Sequence, residues 1–235
     1  MTDTPVLVFA RLDSRRLPGK ALTPLGGRPM LARVVERCVR ARLAGPVVVA
    51  TSDRAADDPI ADVAGRLGVG VFRGDVDDVA GRALACSDSL GARQFVRISG
   101  DSPLIDPVLI DRLVALHRAR GAALTTNLHP RSFPPGLSVE VIDTAALHMA
   151  LAAGGDAYDR EHVTPALYRT LPAARIHNVQ CDTAVPAGLS LAVDTADDLR
   201  FVASLLAALG ENAPGAGYAE IIATARSLLA AQAAQ

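Results

Sequence analysis

Residues 5–22 have the sequence PVLVFARLDSRRLPGKAL, in which an apolar run leads directly into a polar segment. The run over residues 5–10 is almost wholly apolar, which is typical of a β-strand that is covered on both faces. The polar segment extends to residue 28 and contains Pro18 and Gly19. Because ordered connections of this length usually carry function in compact domains, the stretch predicts a buried strand that opens into a functional loop.

Alternating strands and helices follow this first unit. The sequence predicts strands over residues 46–51, 71–73, 94–98 and 123–126, and helices over residues 30–43, 58–67, 77–89 and 107–120. Strand–helix alternation is typical of a mostly parallel sheet in which right-handed crossovers place helices on both faces. We therefore expect an α/β fold with a doubly wound, Rossmann-like sheet.

The pattern changes after residue 126. Residues 127–137 are rich in proline and polar residues. Beyond them the sequence predicts strands over 138–142, 175–180 and 190–193, and helices over 145–153, 160–168, 196–209 and 218–234. We expect one domain over residues 1–235, with an insertion at about 127–185 that folds over an edge of the sheet as a small flap.

The composition argues against several classes of protein. The formal net charge is −1, so no general basic field attracts nucleic acid or anionic lipid. No run of 18 apolar residues occurs and the first residues lack a signal-peptide pattern, so we expect a cytoplasmic protein without a membrane span. The three cysteines form no CxxC pair, which argues against a disulfide framework or a zinc site. The apolar C-terminal helix is compatible with a homodimer and with a monomer.

Three segments with charged and hydroxyl side chains are predicted at the carboxyl ends of strands, where open α/β sheets bind their ligands. The first groups four cations with one hydroxyl: Arg11, Ser14, Arg15, Arg16 and Lys20. Several cations on a flexible loop suit a polyphosphate, whose charges need several donors. Lys20 is the one lysine among 24 basic residues, which suggests that its position requires a compact ammonium group. The loop contains neither the GxxxxGK[ST] nor the GxGxxG phosphate-binding motif.

The other two segments each place an aspartate after a predicted strand. Asp101 follows the strand over 94–98, and Asp194 follows the one over 190–193. Asp106 and Thr195 are better placed to cap the next helices, which leaves both aspartates without a structural role. Mg²⁺ is commonly held by one or two carboxylates together with substrate phosphates. Asp101 and Asp194 are therefore candidate metal ligands, provided that their strands are neighbours.

Six motifs, in order along the chain, resemble those of a known family. They are ARLDSRRLPGKAL (10–22), ATSDRAADDPIADVAGRLGVGVFRGDVDDVAGR (50–82), RISGDSPLIDP (97–107), TTNLHPRSFPPGLSVEVID (125–143), DREHVTPALY (159–168) and LAVDTADDL (191–199). On these motifs the chain resembles the cytidylyltransferases that make CMP-activated sugar acids, most closely the branch named for spore-coat polysaccharide biosynthesis. The resemblance covers roughly residues 5–205.

The resemblance implies a nucleotidyltransferase that moves CMP from CTP to an acidic acceptor, a nonulosonic-type sugar acid, with Mg²⁺ as cofactor and pyrophosphate as product. It implies catalytic roles for Arg11, Arg16 and Lys20, nucleotide binding by these three with Ser14, Ser52 and Arg82, metal binding by Asp101 and Asp194, and acceptor binding by Asn127, Glu140, Arg160 and His162. Two positions, Ser102 and Ser138, depart from the family pattern. The second departure weakens any inference about the identity of the acceptor.

Three alternatives remain open at this level. A metal-dependent glycosyltransferase would use a nucleotide-sugar as donor, but such enzymes usually carry an Asp-x-Asp pair, and Asp101 is followed by Ser102 and Pro103. A guanylyl- or uridylyltransferase would differ only in its base preference. A non-catalytic nucleotide-binding subunit would bind CTP and release no pyrophosphate.

Overall fold

The computed structural model describes residues 4–14 and 16–233, and its centre is a seven-stranded sheet. The strands, including a small separate hairpin of β2 and β3, are β1 (Val6–Phe9), β2 (Pro24–Leu25), β3 (Arg28–Pro29), β4 (Val47–Ser52), β5 (Gly70–Gly74), β6 (Gln94–Ser99), β7 (Leu124–Thr126), β8 (Glu140–Asp143) and β9 (Ile176–Asn178). The α-helices are α1 (Met30–Cys38), α2 (Asp58–Arg66), α3 (Val79–Ser89), α4 (Pro107–Arg120), α5 (Thr144–Ala152), α6 (Ala157–His162), α7 (Pro165–Thr170), α8 (Ala196–Leu209) and α9 (Tyr218–Ala233). Within the described residues, no helix combines the length and the apolar character that a membrane span requires.

The strand order of the sheet is β5-β4-β1-β6-β8-β7-β9. The neighbours β5, β4, β1 and β6 are all parallel, so their carboxyl ends lie along one edge of the sheet. Strand β8 runs antiparallel to both of its neighbours, and β9 is parallel to β7. The mostly parallel α/β fold that the alternation predicts is confirmed.

Two apolar layers cover the sheet. On one face, Val6 and Val8 of β1 pack with residues of α1, α2, α4, α8 and α9. On the other face, Leu7 packs with residues of α3, α5 and α7. All three β1 residues are fully buried, as the continuous apolar run predicts for a strand covered on both faces.

The segment over residues 127–185 differs from the predicted flap. It supplies β8, which lies inside the sheet between β6 and β7, and β9, which forms one edge. Val141 of β8 packs in one apolar layer and Ile142 in the other, so this strand needs cover on both faces. The segment therefore completes the sheet in addition to covering it.

Two further predicted elements differ locally. Residues 190–193 form no strand, because Leu191 N–H donates to Pro135 O (2.7 Å) and Val193 N–H donates to Asp101 O (2.9 Å), both in loops. The predicted helix over 160–168 is divided into α6 and α7 at Val163, where a φ of 72° ends α6.

Candidate active site

A cleft of about 480 Å³ opens at the carboxyl ends of β1 and β6. Its walls are the loop after β1, the turn after β6, parts of α3 and α6, and Asp194, two residues before α8. Eight of the residues predicted to be functional line it: Arg11, Ser14, Arg16, Lys20, Arg82, Asp101, His162 and Asp194. The three segments that the sequence predicts at this edge of the sheet therefore meet in one place.

The loop after β1 is shaped by its own backbone. Gly19 N–H donates to Leu12 O (2.8 Å), and Lys20 N–H donates to Leu17 O (3.1 Å). Gly19 has a φ of 72°, a left-handed conformation that residues with a Cβ disfavour. Ser14 Oγ accepts a long hydrogen bond from Leu17 N–H (3.4 Å), so Ser14 both lines the cleft and shapes the loop.

Lys20 is the centre of the charge cluster in the cleft. Its Nζ donates to Asp101 Oδ2 (2.9 Å), Asp194 Oδ1 (2.8 Å) and Val193 O (3.0 Å), which uses all three ammonium donors. Burial lowers the pKa of Lys20, but the two carboxylates outweigh burial, and the pKa is raised above its ordinary value. The ammonium therefore stays charged at neutral pH. Three acceptors around one nitrogen suit a compact ammonium better than a planar guanidinium, which explains a lysine at this position.

Asp101 is fixed by a close approach of two strand ends. Gly100 N–H donates to Phe9 O (2.8 Å), and a Cβ on Gly100 would lie 2.7 Å from that oxygen and 2.9 Å from Ala10 Cβ. Real Cβ contacts are longer than this, so the turn requires glycine at this position. The turn places the Asp101 carboxylate directly beyond β6.

Asp194 is fixed differently, since no strand precedes it. Val193 N–H donates to Asp101 O, so a backbone hydrogen bond joins the two aspartate segments. Asp198 Oδ2 accepts hydrogen bonds from Asp194 N–H (3.0 Å) and Thr195 N–H (2.8 Å). Thr195 Oγ1 accepts from Asp198 N–H (3.2 Å), which completes the capping box of α8 and confirms Thr195 as the cap.

The loop arginines in the cleft are also paired with acids. Arg16 Nη2 lies 2.9 Å from Asp194 Oδ2. Arg11 Nε lies 3.1 Å from Asp13 Oδ1. Arg15, the fourth cation of the predicted loop, lies outside the described residues. Each described cation of this loop therefore has a carboxylate partner in the same cleft.

Arg82 lines the cleft from α3 and is only 3% exposed. Its guanidinium carbon lies 5.9 Å from the centre of the Phe9 ring, and its Nη1 donates to Asp75 O (2.6 Å). Its Nε is buried and makes no hydrogen bond to the described part of the chain. A buried donor without a partner is costly, so this nitrogen is available to a bound ligand.

Helix α6 places Glu161 and His162 at the rim of the cleft. The His162 ring packs edge-on against Tyr158, with ring centres 4.3 Å apart. Val163 then adopts φ 72° and ψ −57°, and Thr164 N–H donates to His162 O (2.9 Å). This is a γ-turn of the rare, strained type. Val163 is fully buried, so packing holds the strained turn and fixes the direction of His162.

Ser52 and Asn127 do not line the cleft. Both are fully buried, and their polar atoms bond within the protein. Ser52 Oγ donates to Asp57 Oδ2 at the end of β4. Asn127 Nδ2 donates to Leu137 O (2.7 Å), and Asn127 Oδ1 accepts from Val139 N–H (2.9 Å). Their positions fit structural support better than the predicted ligand contacts.

Glu140 and Arg160 also lie outside the cleft lining. Glu140 is 1% exposed and accepts hydrogen bonds from Arg97 Nη1 (2.7 Å), Thr164 Oγ1 (3.2 Å) and Tyr168 OH (3.0 Å). It therefore joins β6, β8 and the start of α7. Arg160 lines an adjoining cavity that shares Arg11 with the cleft, and its Nη1 lies 2.5 Å from Asp78 Oδ2.

Asp57 supports the cleft in a way that its sequence position does not reveal. Asp57 directly precedes α2, where an aspartate often caps a helix, but its side chain makes no capping hydrogen bond. Its Oδ1 instead accepts from Leu12 N–H (2.8 Å), and Oδ2 accepts from Ser52 and from Arg54 Nη2 (3.1 Å). Burial raises the pKa of Asp57, but these hydrogen bonds outweigh it and the pKa is lowered. The charged carboxylate anchors to β4 the start of the loop after β1, which carries Arg11, Arg16 and Lys20 and is called the cationic loop below.

Known proteins are similar to this chain in sequence and in fold. The cytidylyltransferase family matches residues 5–184. The spore coat polysaccharide biosynthesis protein SpsF of Bacillus subtilis is 30% identical over 234 residues, which are 94% of this chain and 93% of that protein. The 3-deoxy-manno-octulosonate cytidylyltransferase of Geobacter sulfurreducens is 38% identical over 109 residues, 46% of this chain and 43% of that protein. A cytidylyltransferase structure from Leptospira borgpetersenii has a TM-score of 0.90 at 26% identity and covers 98% of this chain and 96% of that chain.

The family match includes the cationic loop and Asp101, and the Bacillus relative and the Leptospira structure each extend over nearly the whole chain. The polyphosphate chemistry that the loop predicts agrees with this relationship. This chain belongs to the cytidylyltransferase family and is a nucleotidyltransferase that uses CTP.

Proposed function

We propose that the enzyme transfers CMP from CTP to an acidic sugar of the nonulosonic type, with Mg²⁺ as cofactor and pyrophosphate as product. The observation that carries this proposal is the Lys20 cluster, in which one ammonium bridges Asp101 and Asp194 beside Arg16. Cations suited to a triphosphate and carboxylates suited to a metal thus share one cleft. The names of two relatives, a spore coat polysaccharide biosynthesis protein and a 3-deoxy-manno-octulosonate cytidylyltransferase, support an acidic sugar as the acceptor class.

In the proposed reaction, an acceptor hydroxyl oxygen attacks the α-phosphorus of CTP and loses its proton to solvent. The bond from the α-phosphorus to the oxygen that bridges to the β-phosphate breaks, and pyrophosphate leaves with that electron pair. Such a transfer depends on positioning and charge neutralisation more than on covalent catalysis. Lys20, Arg11 and Arg16 hold the triphosphate and stabilise the negative charge that develops on the leaving group.

Binding of the triphosphate in the cleft requires an exchange of ion pairs. Arg16 and Lys20 both contact Asp194 in the structure, so a bound triphosphate must take over cations that already have partners. The phosphate oxygens replace the carboxylates around Lys20 and Arg16. The same exchange releases the Asp101 and Asp194 oxygens for another cation.

The donor set of the cleft fits Mg²⁺. Asp101 and Asp194 offer hard oxygen ligands close enough to share one ammonium, and Mg²⁺ needs only one or two carboxylates when phosphates supply the rest. Among residues 4–14 and 16–233, no group of three or more His, Cys, Asp or Glu side chains could hold a metal, so the substrate must complete the ligand set. When bound, Mg²⁺ supplies positive charge that neutralises the phosphates.

The base contact is assigned to Arg82. Its free Nε and the neighbouring Phe9 ring provide a hydrogen-bond donor and an apolar surface on one wall of the cleft. Cytosine presents two adjacent acceptors, O2 and N3, that match the parallel donors of a guanidinium. Uracil has a donor at N3, which would oppose the guanidinium. Ser52 is assigned to support through Asp57.

The acceptor side is assigned to the rim that α6 forms. His162 and Glu161 line the cleft, and Arg160 lies next to it in the cavity that Arg11 also lines. A guanidinium at this position suits the carboxylate of a sugar acid. Glu140 supports this side from within the protein, since it accepts a hydrogen bond from Thr164, two residues after α6. Asn127 holds the backbone of Leu137 and Val139, just before β8.

Thermal unfolding tests the nucleotide assignment. We expect CTP with Mg²⁺, at about 100 times its dissociation constant, to add about 2.7 kcal/mol and raise Tm by roughly 5–10 °C, with smaller shifts for ATP, GTP and UTP. Asp101→Ala should lose the Mg²⁺-dependent part of the shift. The matched control is Asp62→Ala, which removes an exposed carboxylate on α2 and should keep it.

Pyrophosphate release with CTP and a panel of acceptors tests the reaction. We expect release with sugar acids such as 3-deoxy-manno-octulosonate and none with neutral sugars of similar size. Equal release with both kinds of sugar would contradict the acceptor class. A thermal shift with UDP- or GDP-linked sugars and none with CTP would contradict the reaction and favour a glycosyltransferase.

A further inference from the structure

A second crevice, of about 570 Å³, lies at the opposite end of the sheet from the cleft. It opens near Gln94, at the start of β6, and near the residues that follow α4. Four arginines line it, and we call it the arginine crevice: Arg42, Arg93, Arg118 and Arg175. Its other lining residues include His117 and a single carboxylate, Asp143.

The charges of the arginine crevice are not balanced. Within residues 4–14 and 16–233, none of the four guanidinium groups lies within 4.0 Å of a carboxylate oxygen, although thirteen arginine–carboxylate ion pairs occur elsewhere: Arg11–Asp13 and Arg16–Asp194 are examples. The one carboxylate contact of Arg42 in this part of the chain is through its backbone N–H, which donates to Asp111 Oδ2 (2.9 Å). Arg118 Nη2 donates to Thr4 Oγ1 (2.8 Å) and Leu43 O (3.0 Å), both neutral acceptors. The guanidinium groups of Arg42, Arg93 and Arg175 make no hydrogen bond to the described residues.

The carboxylate in the crevice does not offset these charges by contact. Asp143 caps α5, where its Oδ1 accepts from Ala146 N–H (2.8 Å). Among the residues that the structure describes, the crevice therefore holds a surplus of cationic groups in a concave space, where a surplus attracts anions more strongly than on a flat surface.

His117 provides a second, independent feature of this site. It is 2% exposed and lines the crevice, and its Nδ1 lies 3.1 Å from Thr125 Oγ1. Its Nε2 makes no hydrogen bond to the described part of the chain. This ring nitrogen belongs to a residue that lines the crevice, so it is available to a ligand that enters it.

We propose that the arginine crevice binds a condensed inorganic phosphate, such as triphosphate. Guanidinium groups pair with phosphate oxygens through two parallel hydrogen bonds, and four of them match a ligand that carries several phosphate groups. The lining contains no Phe, Tyr or Trp, so it offers no stacking surface for a nucleobase. The volume suits a small molecule, and the ligand is distinct from the CTP of the cleft at the other end of the sheet.

Calorimetric titration with inorganic triphosphate, in buffer without divalent metal, tests the proposal. The background is Lys20→Ala, which weakens triphosphate binding in the cleft. We expect this variant to bind one triphosphate, and the added pair Arg93→Ser and Arg175→Ser to weaken that binding about 100-fold, because each lost charge-assisted contact is worth about tenfold or more. The matched control adds Arg40→Ser and Arg66→Ser, two exposed arginines outside both crevice and cleft, and should bind as the background does.

Two results would overturn the proposal. One is a Lys20→Ala variant that is folded and binds no triphosphate. The other is equal weakening by the Arg93/Arg175 pair and by the Arg40/Arg66 pair, which would show a general effect of net charge. If Lys20→Ala does not fold, the stoichiometry decides: the wild-type chain should bind two triphosphates and Arg93→Ser/Arg175→Ser one, whereas an unchanged stoichiometry would refute the site.

Discussion

The two ends of the sheet differ in how their charges are arranged. At the carboxyl ends, Lys20, Arg11 and Arg16 each contact a carboxylate. At the amino ends, the guanidinium groups of the arginine crevice contact no carboxylate in the described part of the chain. A site that receives both a metal cation and a polyanion needs acids and bases together, whereas a site for an anion alone needs only bases. The pairing of charges thus distinguishes the proposed reaction site from the proposed binding site.

The largest expected effect is at the centre of the cleft. Lys20→Ala should lower kcat for CMP transfer by about 10²–10³, because a strong electrostatic contact to the reacting phosphates is lost. Lys20→Arg should lose most of that activity too, since a guanidinium does not fit three acceptors around one nitrogen. Steady-state pyrophosphate release measures both variants.

The control for this prediction is Arg66→Ala, which removes an exposed cation on α2 and should leave kcat unchanged. Near wild-type turnover of Lys20→Ala would contradict the electrostatic role proposed for the carboxyl ends of the sheet.

The next effect concerns stability at the arginine crevice. Burial, with smaller contributions from His177, Arg118 and Arg175, lowers the pKa of His117 to about 4, although Asp143 opposes the shift. The folded protein therefore keeps His117 neutral where the unfolded chain, with a pKa near 6.5, takes up a proton. Stability is lost as pH falls from about 6.5 to about 4, by up to about 3 kcal/mol from this residue.

His117→Asn, which retains an amide to pair with Thr125, should lack that part of the acid sensitivity. Urea unfolding of both proteins at pH 7.0, 5.5 and 4.5 measures the difference. Parallel loss of stability in the two proteins over this range would mean that His117 is not the titrating group.

A smaller effect is expected where β6 meets β1. Gly100→Ala should destabilise the fold by about 1–3 kcal/mol, because the added Cβ would press on Phe9 O and Ala10 Cβ. Gly65→Ala is the matched control, since a Cβ there meets nothing within 4 Å and alanine favours the helix by about 0.5–1 kcal/mol. Opposite signs of the two effects in urea unfolding are the expected result; equal signs would show that the contact at Gly100 relaxes freely.

The smallest expected effect comes from a comparison of exposed arginines at the two ends of the sheet. Arg16→Ala should raise KM for CTP by less than tenfold, because the side chain is 66% exposed and solvent screens its charge. Arg93→Ala, at the other end of the sheet, should leave KM for CTP unchanged. A larger effect from Arg93 than from Arg16 would mean that the crevice and the cleft are coupled.

The parallel half of the fold could be predicted from sequence because its strands carry continuous apolar runs. The predicted strands over 46–51 and 94–98 differ by one residue at their ends from β4 and β6. The same apolar pattern gave a wrong prediction of a strand at residues 190–193. There Leu191 and Val193 are buried, but their backbone N–H groups donate to carbonyl groups of loops. Burial can be inferred from composition, but the partner of a backbone N–H depends on distant segments.

In the candidate site, too, the sequence could identify some features, whereas others depend on distant segments. The sequence could identify Lys20, Asp101 and Asp194 because each is unusual in its own segment, and the structure brings them together. It could not show that Glu140 lies inside the protein, since alternation alone does not tell which face is covered. Nor could it show that His117, in α4, is buried. These differences arise where residues distant in sequence supply the neighbours.

The contact between Lys20 and Asp194 spans 174 residues. Because the ribosome adds about 5–20 residues each second, the two are synthesised roughly 10–35 s apart. During that interval the cationic loop has no Asp194 to pair with. The cleft is therefore assembled late in synthesis, and a nascent chain that ends before residue 194 carries the cations of a nucleotide site without the acid that completes it.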